Sequence, residues 1–233
     1  MTARRIWITR TSPDAAETGE RLERLGYTAV VAPALELEPL PARINFAGVG
    51  ALVFTSRNGV RLAKVPAGLR GPVFTVGDRT ADAARAAGHR DVRSASGDVQ
   101  ALARLILREL DAFDGVALHL GALAPAGDLA AQLQASGVPF RHAALYRTRW
   151  APGPELARVL SGPLDGLLIH SPEAARRLAA LGDVSLPRTM RAICISEAAK
   201  RALAPLGLRR VAVAAQPTEA AMLAALLVQL PPR

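Results

Sequence analysis

A single cysteine, Cys194 in the apolar run RAICIS, stands in the chain. That excludes an internal disulfide framework and any cysteine-based zinc cluster, and the residue reads as a small buried apolar side chain. The four histidines, His89, His119, His142 and His170, are scattered without HExxH or other ligand spacing, so no metal is implied. No uninterrupted apolar run reaches the roughly 18 to 20 residues of a membrane span, and MTARRIWITR lacks the apolar core of a signal peptide. The expectation is a cytoplasmic protein with no membrane partner. No Walker A loop, no GxGxxG with an acidic partner and no GxSxG elbow occurs, which argues against phosphoryl transfer, dinucleotide chemistry and serine hydrolysis. Lysine is almost missing, with only Lys64 and Lys200, so the net charge of +9 is carried by arginine. Such a field favours nucleic acid, phosphates or polycarboxylates. No basic run is interleaved with aromatics as a nucleic-acid surface requires, and nucleic acid is not expected as a partner.

What the sequence does contain is one phrase written twice. LVFTSRNGVR at 52–61 and LLIHSPEAAR at 167–176 are each an apolar run that stops at a Ser and turns into a small-residue, Arg-bearing helix start. Six such strand-to-helix units occur, from IWIT to LERLG, LVFT to RLAKV, VFTVG to ARAAG, VALHLG to LQASG, LLIH to LAALG and AICI to LAPLG. Short buried strands alternating with helices predict parallel sheets with crossover helices. Weaker strands fit TAVVAP, RDVRSA, RHAALY and RRVAVAA, and further helices fit VQALARLILREL and TEAAMLAALLVQL. Gly26 matches Gly137 at an offset of 111, Ser56 matches Ser171 at 115, and Gly88 matches Gly207 at 119. The drifting offset describes two copies of about 115 residues, the size of a small α/β domain rather than of a solenoid repeat.

Two stretches break the rhythm at equivalent places, APALELEPLP at 32–41 and AALYRTRWAPGP at 143–154. Both run into Pro, which marks a boundary. Each lies inside a copy, so the domains need not coincide with the copies. The expected division is residues 1–35 plus 150–233 as a discontinuous domain, 41–143 as an inserted one, and 36–40 and 144–149 as connectors.

Ligands of open parallel sheets gather at the carboxyl ends of the strands. There the sequence places Arg10, Thr11 and Ser12; Thr55 and Ser56; Gly77 and Thr80; His170 and Ser171; and Ser196. Hydroxyls dominate. Each reads first as a helix N-cap worth about 1 kcal/mol, with Ser12-Pro13 and Ser171-Pro172 fitting that reading well. A helix start also offers free N–H groups and positive partial charge to a carboxylate or phosphate.

Taken in order, ITRTSPDAAETGERLERLGYTAVVAPALELEPL, LVFTSRNGVRLA, VGDRTADAARAAG, ALYRTRW and QPTEAAMLAALL resemble the uroporphyrinogen-III synthase family over nearly the whole chain. The resemblance implies two small parallel-sheet, flavodoxin-like α/β domains related by internal duplication, joined by two connectors with a cleft between them. It implies cyclisation of hydroxymethylbilane, a linear tetrapyrrole with eight carboxylates, with inversion of the last pyrrole ring and loss of water. No metal or organic cofactor is implied, and a monomer is expected. By the same likeness Tyr146 would assist departure of the hydroxyl, Ser56 and Thr80 would line the cleft, and Arg10 would sit near a substrate carboxylate, while Thr55, Gly77, Ser171 and Ser196 are expected to bind substrate from their places at the strand ends.

The chain departs from the family pattern at ISEAAK, where Ser196 takes a Gly position and Ala199 stands opposite Thr80. HLGALAPAG lacks the usual Arg-Gly turn, and Arg57 replaces a common Pro. Two other readings remain open at this point: a relative that binds tetrapyrroles or a protein partner without catalysis, and a nucleotide-sugar glycosyltransferase.

Overall fold

The computed structural model describes residues 2–125, 127–160, 162–181, 186, 187 and 189–233. Its strands are β1 (Arg5–Ile8), β2 (Thr28–Val31), β3 (Leu35–Pro39), β4 (Val49–Phe54), β5 (Val73–Thr75), β6 (Val92–Ser94), β7 (Val116–Ala122), β8 (Phe140–Trp150), β9 (Gly166–Ile169), β10 (Arg191–Cys194) and β11 (Arg210–Val213). The α-helices are α1 (Asp14–Arg24), α2 (Arg57–Leu62), α3 (Asp78–Ala86), α4 (Val99–Arg108), α5 (Leu129–Ala135), α6 (Gly153–Leu160), α7 (Pro172–Ala179), α8 (Glu197–Leu203) and α9 (Glu219–Gln229). Among the described residues no helix is long and apolar enough to cross a membrane. The chain divides into two compact units, Met1–Leu37 with Arg149–Arg233, and Glu38–Thr148.

In the discontinuous unit five parallel strands follow the order β11-β10-β9-β1-β2. Counted from β1 this is the 2-1-3-4-5 order of flavodoxin-like sheets. Both faces of the sheet are covered, and the period-2 geometry of a strand explains its near-continuous apolar sequence. Trp7, Leu167, Ile169, Ala192 and Cys194 fall in one core cluster with residues of α7 and α8. Ile6, Ile8, Leu168 and Ile193 fall in another with residues of α1 and α9. Each large side chain fully buried there contributes about 1.5–3 kcal/mol.

The second unit has the order β3-β8-β7-β4-β5-β6. Strands β8 to β6 are parallel and repeat 2-1-3-4-5 if β7 is counted first. Each unit thus takes its first two strands from one sequence copy and its last three from the other. Gly26 and Gly137, equivalent in the two copies, close α1 and α5 with φ of +84° and +75°, a left-handed turn that favours glycine. On one face of this sheet Val53, Phe74 and Ala117 pack with Leu102 and Ile106 of α4 and Leu133 of α5. On the other, α2 approaches β7 so closely that a Cβ on Gly59 would lie 2.5 Å from the Leu120 carbonyl oxygen.

The stretches 36–40 and 144–149, expected as connectors, contain regular strand, with residues 36–39 in β3 and 144–149 within β8. The Leu40 N–H donates to Leu145 O at 2.8 Å and the Ala151 N–H to Ala34 O at 3.0 Å, so the strands run antiparallel. The prolines fall at or beyond the strand ends, where no ladder N–H is needed. PGPELARVL, for which the sequence predicts no element, forms α6, because Pro154 occupies the first turn, where a missing N–H costs nothing. Ser12 does not cap α1: the cap position falls on Pro13, with no side-chain bond.

Candidate active site

Strand β4 ends at Phe54 and α2 starts at Arg57, leaving Thr55 and Ser56 in the turn between. Ser56 is extended and caps α2, its Oγ accepting the Gly59 N–H at 3.0 Å. The same oxygen lies 2.9 Å from the Tyr146 hydroxyl. Tyr146 comes from β8, with β7 between it and β4. A register shift between Gly121 and Ala122 places Tyr146 opposite Ala122, and the Leu123 N–H is held by Tyr146 O at 2.7 Å. Tyr146 is 5 % exposed, and burial raises the pKa of its phenol, partly opposed by the bond with Ser56. It stays protonated through the neutral range and can donate.

Thr55 bonds in the other direction, its Oγ1 lying 3.0 Å from His119 Nε2. His119 stacks on His142, its register partner across β7 and β8, with ring centroids 4.9 Å apart. Burial, and then the neighbouring His142, lower the pKa of His119 to about 4. His142 is also lowered by burial, opposed by a backbone bond with Ala122. Both rings are therefore neutral at pH 7. Beside them lies a cavity of about 100 Å³ lined by Thr55, His119, Asp128, Phe140 and His142 among others. No sequence signal pairs these histidines, since parallel partners are set by three-dimensional register rather than spacing.

On the next strand, Gly77 caps α3 in extended conformation with no side-chain bond, and a Cβ there would meet nothing within 4 Å. The cap carbonyl holds the N–H groups of Thr80 and Ala81 at 3.0 and 3.1 Å. Thr80 itself is buried, 6 % exposed. The structure therefore places two hydrogen-bonded pairs, Ser56 with Tyr146 and Thr55 with His119, at the end of β4, with Gly77 at the adjoining strand end.

In the discontinuous unit, Ser171 and Ser196 cap α7 and α8, accepting the N–H groups of Ala174 and Ala199 at 3.0 and 3.3 Å. Each hydroxyl keeps a proton that it can donate. Arg10 is differently placed. Its guanidinium bonds Asp14 at 2.8 Å, Thr18 at 3.2 Å and Glu219 at 3.1 Å. Glu219, 3 % exposed, also takes Arg21 and the Thr18 hydroxyl. Its buried carboxylate is surrounded by two cations and a donor, as buried charge requires. Arg10, expected near a substrate carboxylate, is engaged in ion pairs with Asp14 and Glu219. Cys194 is fully buried, and burial pushes its thiol up to about 12. Among the described residues no group of three or more His, Cys, Asp or Glu could hold a metal.

The class of protein these features define is a duplicated α/β protein of two 2-1-3-4-5 sheets, with a Tyr-Ser hydroxyl pair at the strand ends of one of them. The chain belongs to the uroporphyrinogen-III synthase family, whose sequence model, described as uroporphyrinogen-III synthase HemD, matches residues 16–224. Among solved structures, uroporphyrinogen-III synthetase from Helicobacter pylori superposes with a TM-score of 0.66 at 18 % identity, over 97 % of this chain and 98 % of that one. A mutant uroporphyrinogen III synthase from the extremely thermophilic bacterium Thermus thermophilus gives 0.58 at 20 % identity, over the same 97 % and 98 %. These likenesses support the fold. A search of curated proteins finds no match.

Proposed function

We propose that the chain cyclises hydroxymethylbilane to uroporphyrinogen III, inverting the last pyrrole ring and releasing one water. The observation that carries the reading is the Ser56–Tyr146 hydroxyl pair, 2.9 Å apart at the strand ends, in a chain of this family. The linear substrate closes without a catalyst to the uninverted ring. The protein's task is to hold one folded conformer, which is catalysis by orientation, and to help the terminal hydroxyl leave.

Tyr146 serves the second task. Its buried phenol donates a hydrogen bond to the departing hydroxyl, which leaves as water. Ser56 donates in turn to the Tyr146 oxygen and stabilises the negative charge that develops there. The proton lost from the closing ring balances the one taken by the leaving group. Gly77 serves the first task. The start of α3 lacks a side-chain cap, so a substrate carboxylate can take that position, favoured by the helix dipole.

The test is the isomer formed from freshly generated hydroxymethylbilane, resolved by chromatography after oxidation to porphyrin. Predominant type III product supports the reading. Only type I from a folded sample sinks it and leaves a tetrapyrrole-binding relative without catalysis.

A further inference from the structure

A cavity of about 690 Å³ opens in the second unit at the opposite end of the sheet from Ser56 and Gly77. Its apolar wall includes Val60 and Ala63 at the end of α2, Leu69 of the following loop and Val73 at the start of β5. A smaller recess shares Leu69, Arg70 and Val73 and reaches Ala51 and Leu52 of β4. The volume falls in the range of small-molecule sites, about 300–1,000 Å³.

The loop that walls the cavity is fixed at its return. Gly71 has φ +128°, and a Cβ there would lie 2.0 Å from the Gly50 carbonyl oxygen. Pro72 O accepts the Leu52 N–H at 3.0 Å, and Asp91 O accepts the Val73 N–H at 2.8 Å. The space is built by backbone pairing.

Its rim is cationic. Arg70 and Arg90 line the cavity, are exposed, and have no ion pair or hydrogen bond among the described residues. They do not cap the neighbouring helix, whose Ala83, Ala84 and Arg85 carbonyls accept the N–H groups of Ala87, His89 and Gly88. Asp91, the one acidic lining residue, is held by Arg93 through two bonds of 2.8 and 2.9 Å. What remains is a mixed lining of apolar side chains and polar atoms, the His89 ring among them, with two unneutralised guanidinium groups.

We propose that this cavity is a second ligand site, for a compact anion with a flat apolar body and a carboxylate that Arg70 and Arg90 grip. Bidentate guanidinium–carboxylate geometry supplies the orientation, and the apolar wall supplies contact area.

The test titrates 2-naphthoate into the full chain, uniformly labelled with ¹⁵N, and follows amide shifts. Saturable shifts confined to residues 60–73 and 87–91 are expected. The double variant Arg70→Ala/Arg90→Ala changes exposed side chains without partners, so it keeps the wild-type spectrum elsewhere and weakens binding about tenfold or more. The uncharged 2-naphthamide binds both proteins with the same weak affinity. Absence of saturable shifts at millimolar ligand, shifts centred instead on Thr55, Ser56 and Gly77, or undiminished binding by the double variant would each overturn the proposal. Because the readout is binding, it stands apart from the isomer assay.

Discussion

The hydroxyls of Ser56 and Tyr146 meet at 2.9 Å although 90 residues separate them in sequence. Ser56 is doubly engaged, since the Gly59 N–H donates to the same oxygen. The helix cap therefore fixes the serine, and the serine fixes the tyrosine. Tyr146→Phe removes one neutral hydrogen bond and is expected to cost about 1 kcal/mol of stability or less. It should lower the rate of type III formation about a hundredfold, the scale of general-acid assistance. Ser56→Ala should cost a cap, about 1 kcal/mol, and most of the same rate. If the two act as a unit, the double variant is no slower than the slower single one, which corresponds to about 2–3 kcal/mol of coupling. Rate effects that multiply instead would show that the hydroxyls act separately.

Burial raises the Tyr146 pKa, so its donor form persists beyond the range where a free phenol ionises. The prediction is a rate without loss from Tyr146 ionisation between pH 7 and about 10. A spectrophotometric titration of tyrosinate should show Tyr146 ionising later than a free tyrosine. An alkaline fall in rate that is present in the wild type and lost in Tyr146→Phe, with its midpoint below about 10, would contradict that environment.

His119 makes a prediction in the opposite direction of pH. Its pKa falls from 6.5 in the open chain to about 4 in the fold because burial disfavours the imidazolium. Between those values the unfolded chain binds a proton that the folded one does not, so stability declines as pH drops from 6.5 towards 4. The loss from this group is on the order of 3 kcal/mol. Denaturant unfolding at about pH 7 and about pH 4.5 measures it. His119→Gln retains an amide for Thr55 and should show a shallower acid loss; an equally steep one would place the effect in other groups.

Part of this was legible in the sequence, and the reasons differ by feature. The strand-Ser-helix phrase is local: apolar run, cap and helix start lie within ten residues, so its structure follows from chemistry that the sequence displays directly. The pairing of copies into two exchanged sheets is accessible only because the breaks at LELEP and YRTRW sit inside the copies. At those breaks the alternation of Leu and Glu in LELEP and the run RHAALY carry a strand signal, and proline marks where it stops. The His119–His142 stack depends on the register between β7 and β8, which no spacing encodes. Glu219 begins a helix with an ordinary acidic first turn, and nothing in TEAAMLAALL distinguishes an exposed carboxylate from one buried against Arg10 and Arg21.

That buried carboxylate separates stability from activity in the Arg10 region. Glu219→Ala leaves Arg10 and Arg21 without their shared partner, and loss of one member of a buried ion pair costs about 3–5 kcal/mol. For a chain of this size the melting temperature should fall by roughly 6–20 °C. Arg10→Ala is expected to lower it too, by exposing the need of Glu219 and Asp14 for a cation. Any lost activity in Arg10→Ala should then return on cooling below the melting transition. Activity that stays absent in a sample shown to be folded would support Arg10 as a substrate contact.

Gly77 offers the sharpest separation between a structural and a functional glycine. Its φ of −158° is ordinary extended backbone, and an added Cβ meets nothing within 4 Å, so neither conformation nor packing demands glycine there. Gly77→Ala should leave stability within about 0.5 kcal/mol, since Gly and Ala differ modestly as caps and the smaller unfolded-state entropy works in the other direction. Gly77→Ser goes further: its hydroxyl can accept an N–H at the start of α3, as Ser56 does at α2, and should stabilise the fold by up to about 1 kcal/mol. If a substrate carboxylate uses that same group, the serine competes for it, and KM rises severalfold in a protein that is more stable than its parent. A destabilised variant could not give that combination, so the result would assign the start of α3 to substrate binding. An unchanged KM in Gly77→Ser, with the added stability present, would instead show that the open space beside Gly77 is not where the substrate is held.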